Sequence, residues 1–207
     1  MKKGVFITIE GTDGSGKSTQ LENIQKYLIG KGHDVVTVRE PGGTDIGEKI
    51  RKIILDPANI NMDKITEILL YEAARAQIVK EVIRPAIVLG KTVICDRYID
   101  STLAYQGYGR NIDIDKIHIL NEIATQGLAP DITFLFAISP QEAISRKKKH
   151  SAPDRMEMEN NDFRQKVYDG YLHIADSKQD RIKIIDAGGS VEEVFLQVRD
   201  FLDELNI

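Results

Sequence analysis

GTDGSGKST, Gly11–Thr19, follows the apolar run VFITI (5–9) and precedes the helical pattern LENIQKYL (21–28). The spacing Gly11-x-x-x-x-Gly16-Lys17-Ser18 is that of a phosphate-binding loop between a strand and a helix. At average glycine usage such a string arises by chance in roughly one per cent of chains this long. Its setting between strand and helix lowers that risk further. Glycines let backbone N–H groups turn inward, and the helix N-terminus adds positive potential. Lys17 can then reach the terminal phosphates while Ser18 offers its hydroxyl to Mg²⁺. The plain alternative is a glycine-rich turn with an exposed lysine, which the flanking pattern makes a poor fit. Read alone, the loop specifies a nucleotide and a metal but no reaction.

Outward from the loop, short β-branched runs alternate with helical patterns: VVTV (35–38), TVIC (92–95), ITFLFAI (132–138) and IKII (182–185) join the first run. Near-continuous apolar runs are strands covered on both faces, and the long segments between them suit crossover helices. The expected fold is therefore α/β, a five-stranded parallel sheet flanked by helices on both faces. Ser139-Pro140-Gln141-Glu142 has capping-box spacing with proline at the first helical position. Residues Asp63 to Leu89 form a long helical pattern that Pro85 should bend or break. Gly127 followed by Pro130 reads as a helix stop before the fourth strand. In such sheets ligands bind beyond the carboxyl ends of the strands, so residues just after each run carry the most information.

The composition fits one ordinary domain over 1–207. The chain has 207 residues, 42% of them hydrophobic and 29% charged, with a formal net charge of -4. No apolar run approaches the roughly 20 residues that span a bilayer. The N-terminal apolar stretch, ending at Glu10, is too short for the core of a signal peptide. The single cysteine, Cys95, excludes an intramolecular disulfide. These features make the cytoplasm the expected location, and the mild acidity argues against a nucleic-acid partner.

Two nucleotide-binding classes lose ground. No Asn-Lys-x-Asp guanine-specificity motif is present, since Asp113-Ile114-Asp115-Lys116 lacks both the asparagine and the order. No apolar strand ends in the Asp-Glu pair of many ATPase motors. The basic residues point instead to a second anion site. Arg39 begins the strand-end stretch Arg39-Glu40-Pro41-Gly42-Gly43-Thr44, and Arg97 follows Asp96 after the third run. Arg51 and Arg75 lie on the adjoining helical patterns IGEKIRKII and ITEILLYEAARAQIV. Four such arginines could hold a phosphate by bidentate contacts. Taken singly, Arg51 and Arg75 also read as solvated helix charges, and Arg39 as a partner of Glu40. Asp96 ends its strand where a carboxylate can hold Mg²⁺ or its water, the alternative being a bridge to Arg97. Tyr71 and Arg75 share a helix face, so ring and guanidinium could engage a base together. Core packing of Tyr71 has the same spacing.

Taken together, these stretches resemble the thymidylate kinase family over nearly the whole chain. The resemblance covers the phosphate loop with Asp13-Gly14, REPGGT (39–44), LLYEAAR (69–75), DRY (96–98) and STLAYQG (101–107). It continues through PDITFLF (130–136) and Asp154-Arg155-Met156-Glu157. It implies a P-loop nucleoside monophosphate kinase fold and ATP-dependent phosphorylation of dTMP to dTDP in dTTP synthesis, with Mg²⁺ and a homodimer. Gly11, Thr12, Asp13, Gly14, Ser15, Gly16, Lys17, Ser18 and Thr19 would form the ATP site, with Ser18 and Asp96 serving the metal. Asp13 would lie near the acceptor's sugar and metal. Arg97, Arg51 and Arg39 would hold the acceptor phosphate. Tyr71 would stack on thymine and Arg75 contact a base carbonyl, with Ser101, Tyr105 and Gln106 completing the dTMP pocket. Many members carry phenylalanine where this chain has Tyr71.

The segment at about 146–160 matches the family's lid, which closes over ATP. Members that place no arginine inside the phosphate loop take the transition-state cation from the lid. Here Thr12, Asp13, Gly14 and Ser15 are all non-basic, so Arg146 and Arg155 join Lys17, Arg97 and Asp13 as the expected catalytic set. Lys148 and His150 stand where some bacterial members have arginines, and Lys147 and Lys149 read as solvated charges. No strong general base is required, because a phosphate monoester has its second pKa at about 6. The rival readings are a deoxynucleoside kinase, which needs a carboxylate base for a sugar hydroxyl, and a non-catalytic ATP-binding module.

Overall fold

The five apolar runs form β1 Phe6–Glu10, β2 Val35–Arg39, β3 Thr92–Asp96, β4 Ile132–Ala137 and β5 Ile182–Asp186 in a computed structural model that describes residues 4–146 and 153–204. Lys147, Lys148, Lys149 and His150 lie outside the described residues. The strands form one parallel sheet in the order β2-β3-β1-β4-β5. Every residue of β1 is buried. β1 pairs with β3 on one side and β4 on the other, so the crossovers reverse direction at its carboxyl end. That end is where Gly11 begins the phosphate loop, and it is where such sheets open a crevice for ligands.

Alternation along the strands divides the core between two faces. On one, Ile7, Ile9, Phe134, Phe136 and Ile185 pack against Ile24 and Leu28 of α1 (Lys17–Gly30) and Val194, Val198 and Leu202 of α9 (Val191–Glu204). On the other, Phe6, Val93 and Cys95 meet Ile78 of α3 (Lys64–Ile78) and Ala86 and Ile87 of α4 (Arg84–Val88). Farther along that face, Leu135 and Ile182 meet Phe163, Val167, Tyr171 and Ile174 of α8 (Asn161–Ser177). Each buried Val, Leu, Ile or Phe among them contributes about 1.5–3 kcal/mol by leaving water.

Local signals explain most element ends. Thr44 accepts a hydrogen bond from the Gly47 amide and caps α2 (Asp45–Leu55). Ser139 Oγ accepts from the Glu142 amide at 3.3 Å and donates to its carboxylate at 2.7 Å, starting α7 (Pro140–Arg146) at the expected proline. After α5 (Ile99–Thr102) and the wide π turns of Leu103–Gly109, α6 (Ile114–Thr125) stops at Gln126 and Gly127, with φ of 53° and 77°. The expected disruption at Pro85 takes a milder form. Val79–Ile83 widens to a π turn and the helix then resumes through Pro85. The wider turn gives the proline ring room beside the preceding carbonyls. Among the described residues no helix is long and apolar enough to cross a membrane.

Candidate active site

The phosphate loop is held between β4 and α7 at a separation only glycine tolerates. A Cβ on Gly11 would lie 2.6 Å from the Phe136 carbonyl oxygen, and one on Gly14 would lie 2.2 Å from that of Ala143. Both residues have positive φ, 137° and 89°. Gly16 enters α1 in the left-handed conformation with no side-chain cap, so the first N–H groups of α1 remain available to an anion. Lys17 Nζ donates to the carbonyls of Gly11 and Thr12, both at 2.9 Å. Burial, reinforced by Arg97, pushes its ammonium down to about 8. Among the described residues the buried hydroxyls of Thr12 and Ser15 have no partners, while Ser18 and Thr19 are exposed on the first turn.

Two adjoining clefts open from this loop. The donor-side cleft is walled by Gly14, Gly16, Lys17, Ser18, Thr19, Arg39, Asp96 and Arg146. The other is walled by Tyr71, Arg75, Ser101, Tyr105 and Gln106. Asp13, Glu40, Arg51 and Arg97 line both, so they form the wall between the two.

Arg97 is the centre of that wall. Its amide donates to the Ile9 carbonyl at 2.9 Å, extending the β1–β3 ladder by one bond. Its φ of 71° then turns the chain sharply. Such a conformation costs a non-glycine residue about 1–3 kcal/mol and persists where neighbours enforce it. Nη2 lies 2.7 Å from Asp13 Oδ1, and the guanidinium sits 5.1 Å from the centre of the Tyr105 ring. Arg51 donates to the Pro41 carbonyl at 2.9 Å. Burial and the nearby Arg39 lower its basicity, so an anion here would relieve like-charge repulsion. Arg39 is bound to Glu48, at 3.0 Å, rather than to Glu40.

Arg75 is 1% exposed, which removes the solvated-charge reading. Nε pairs with Glu40 at 2.8 Å, and Nη1 reaches Glu72 at 2.6 Å, Asn121 at 2.7 Å and Thr102 at 2.8 Å. Nη2 donates to the Tyr98 carbonyl at 3.0 Å. Glu40 is nevertheless pushed up to about 7, because burial outweighs Arg75. Tyr71 is half-buried, and burial raises its phenol well above the usual range. Gln106 Nε2 donates to Glu67 at 2.9 Å, and Ser101 Oγ to Glu10 at 2.6 Å.

The two expected lid arginines part company. Arg146 is exposed on the donor-side cleft, its guanidinium donating to the carbonyls of Ala187 at 2.6 Å and Gly188 at 2.7 Å. Arg155, expected beside the phosphates, lines neither cleft. It is 2% exposed, with Nη1 at 2.6 Å from Glu67 and Nε donating to the Ile54 carbonyl at 2.6 Å. A carboxylate buried under α3 outcompetes the open cleft for this cation.

Among the described residues Asp96 makes no bridge to Arg97, and its buried Oδ1 has no hydrogen-bond partner. No group of three or more histidine, cysteine or carboxylate side chains gathers to hold an ion among the described residues. The orphaned Asp96 oxygen and the exposed Ser18 hydroxyl line the same cleft, and two such oxygen donors fit a hard cation that takes its other ligands from phosphate and water.

Glu10 and Tyr171 were missed by the sequence reading. Glu10 is completely buried at the end of β1, where it accepts from the Tyr98 amide at 2.7 Å and the Tyr171 hydroxyl at 2.9 Å. Burial, reinforced by Asp100, pushes it up to about 7. A carboxylate closing an all-buried strand was a visible signal; Tyr171, far away on α8, gave none.

A phosphate loop joined by shared arginines to a second, ring-bearing anion pocket, on a doubly wound parallel sheet, defines a P-loop phosphotransferase of the nucleoside monophosphate kinase class. The family model described as thymidylate kinase matches residues 9–198. The chain belongs to the thymidylate kinase family. It is 48% identical over 191 residues to a thymidylate kinase of Exiguobacterium sibiricum, covering 92% of this chain and 90% of that one. It is 47% identical over 203 residues to one of Finegoldia magna, covering 98% and 100%. The crystal structure of thymidylate kinase from Ehrlichia chaffeensis superposes with a TM-score of 0.78 at 33% identity, over 97% of this chain and 99% of that one.

Proposed function

We propose that the protein transfers the γ-phosphoryl group of ATP directly to the phosphate of dTMP, giving dTDP for dTTP synthesis. The observation that carries this reading is the wall of Arg97, Arg51 and Asp13 shared by the two clefts. A sugar-hydroxyl acceptor would need an available carboxylate base. The wall's two carboxylates are engaged, Asp13 with Arg97 and Glu40 with Arg75, while Arg51 and Arg97 offer cations to a second anion. Family membership supplies the identity of the acceptor.

In this reading the α1 N-terminus and Lys17 hold the donor triphosphate, with Lys17 exchanging its loop carbonyls for phosphate oxygens. Arg97 and Arg51, with Arg39 at the rim, hold the acceptor phosphate, and Tyr71 stacks on the thymine. Nη2 of Arg75 donates one hydrogen to the Tyr98 carbonyl, and its second hydrogen would serve a base carbonyl. Ser18 and Asp96 would hold Mg²⁺, which supplies charge neutralisation across the transferring phosphoryl group. Arg146, at the start of a lid over 146–160, adds the remaining cation. The chain's task is alignment and electrostatic compensation of two anions that otherwise repel.

The same reading makes the chain one kinase domain acting in the cytoplasm as a homodimer. Exposed Ile53 of α2, Ile65 and Leu69 of α3, and Ile119 and Ile123 of α6 support the dimer, since α3 packs against both other helices. Incubation with ATP, Mg²⁺ and either dTMP or thymidine tests the reaction. Steady dTDP formation is expected; ADP release with thymidine but not dTMP would overturn it, as would failure to turn over any nucleoside monophosphate.

A further inference from the structure

Arg97 must present its guanidinium to two ligands at once, yet its own salt-bridge partner, Asp13, is 49% exposed on a loop that the donor nucleotide would occupy. The firm side of its environment is elsewhere. Nη1 lies 3.4 Å from Ser101 Oγ and 3.3 Å from the Tyr171 hydroxyl, and those oxygens are 2.8 Å apart. Both converge on Glu10 Oε2, at 2.6 and 2.9 Å. The other carboxylate oxygen accepts from the backbone amides of Tyr98 at 2.7 Å and Ser101 at 3.3 Å. Glu10 therefore grips both the backbone that follows Arg97 and the two hydroxyls that face its side chain.

We propose that Glu10 is the positioning residue that aims Arg97 at the junction of the two nucleotides, acting through the hydroxyls of Ser101 and Tyr171. The direction of the hydrogen bonds carries the inference. A carboxylate only accepts, so it draws hydroxyl hydrogens toward itself. The lone pairs of Ser101 Oγ and Tyr171 Oη are then free to accept from Arg97 Nη1. A side chain that donated at this point would reverse the relay. The hydroxyl oxygens would accept from it and have less to offer Arg97. Glu10 is also the last residue of β1, immediately before the phosphate loop. One rigid strand end thus sets both the donor cradle and the arginine that faces the acceptor.

This inference rests on the reading that Arg97 holds the dTMP phosphate, and the test separates the two. Glu10→Gln keeps size and one acceptor oxygen but places an amide donor against the hydroxyls. At pH 8 it should raise KM for dTMP about tenfold and lower kcat, the scale of a hydrogen bond to a charged group. KM for ATP should rise less than KM for dTMP, because Glu10 makes no bond to the loop's phosphate-facing groups and reaches Lys17 only through its charge. In an Arg97→Ala background the same substitution should change kcat/KM for dTMP by less than about twofold, since its route of action is gone. A purely structural role would cost the same factor in both backgrounds, and that additivity would overturn the proposal, as would an equal rise in KM for ATP. Tyr171→Phe, which removes one relay hydroxyl and leaves the carboxylate, repeats the cycle if Glu10→Gln does not fold, with a smaller, roughly threefold effect expected. If Arg97→Ala itself leaves KM for dTMP and kcat unchanged, the assignment of Arg97 falls and the inference with it.

Discussion

Arg155 Nη1 lies 2.6 Å from Glu67 Oε2, with the two side chains 2% and 1% exposed. This pair ties the 146–160 segment at Arg155 to α3, the helix that carries Tyr71 one turn farther on. Glu67 also receives Gln106 at 2.9 Å and Arg110 at 3.0 Å, which hold its carboxyl below the usual carboxylate range, and Arg110 reaches Glu159 at 2.5 Å. Breaking a buried pair costs about 3–5 kcal/mol because the remaining charge loses its partner. Arg155→Met should fall at the low end, about 3 kcal/mol, since Arg110 and Gln106 still serve Glu67. Glu67→Leu leaves the buried Arg155 without a carboxylate while Arg110 keeps Glu159, and should cost at least as much. Urea unfolding of the two variants checks the order.

Arg146 should behave in the opposite way. Arg146 is exposed, and among the described residues its guanidinium donates to two carbonyls of the loop after β5. Arg146→Ala should leave the urea midpoint unchanged while lowering kcat on the order of 100-fold, the scale of one transition-state electrostatic contact. A loss of stability with unaltered kcat would return Arg146 to a structural role.

The difference between these arginines marks where the sequence stops being legible. The phosphate loop, the five strands and the strand-end residues Asp96 and Arg97 are written in consecutive residues, and each local pattern has one physical solution. Buried partners are not local. Arg75 finds Glu40 at 35 positions' distance and Arg155 finds the Ile54 carbonyl at 101. Sequence spacing therefore offered a solvated charge or a base contact for Arg75, and missed a cation satisfied on three sides by the core. Helical periodicity likewise registered Pro85 but could not separate a broken helix from one that widens by a π turn at Val79–Ile83.

Glu10 and Glu40 give the protein an unusual stability profile. Burial pushes both from the ordinary 4.5 to about 7. Between those values the folded state holds protons that the unfolded chain has released, so stability falls as pH rises from about 4.5 through about 7. Each group contributes about 1–3 kcal/mol to that fall. The depressed Glu67 works the other way only below about 4.5, where its protonation removes stability. Lys17, pushed down to about 8, changes charge above the window. Thermal unfolding should show a maximum near pH 5 and a lower midpoint at pH 7.5. Glu10→Gln should reduce the slope between them, and an unchanged slope would mean that Glu10 is ionised throughout.

Arg51 and Lys52 are neighbours on α2 with opposite surroundings, which makes them a matched test of the proposed acceptor site. Arg51 is half-buried, is held by the Pro41 carbonyl and lines both clefts, whereas Lys52 is exposed and lines neither. Because burial and Arg39 already disfavour the Arg51 charge, a phosphate dianion between them gains more than it would from a solvated cation. One charge-assisted hydrogen bond contributes about 1.5–3 kcal/mol, or roughly 10- to 150-fold in affinity. Arg51→Ala should therefore raise KM for dTMP by that order with KM for ATP little changed, and Lys52→Ala should leave both within about twofold. Since Arg51 carries repulsion as well as contact, its removal should not destabilise the free protein, and the melting temperature without ligand should hold or rise slightly. The same variant should lose most of the thermal shift that dTMP gives the native protein. Equal, small changes in the two variants would place the acceptor phosphate away from α2.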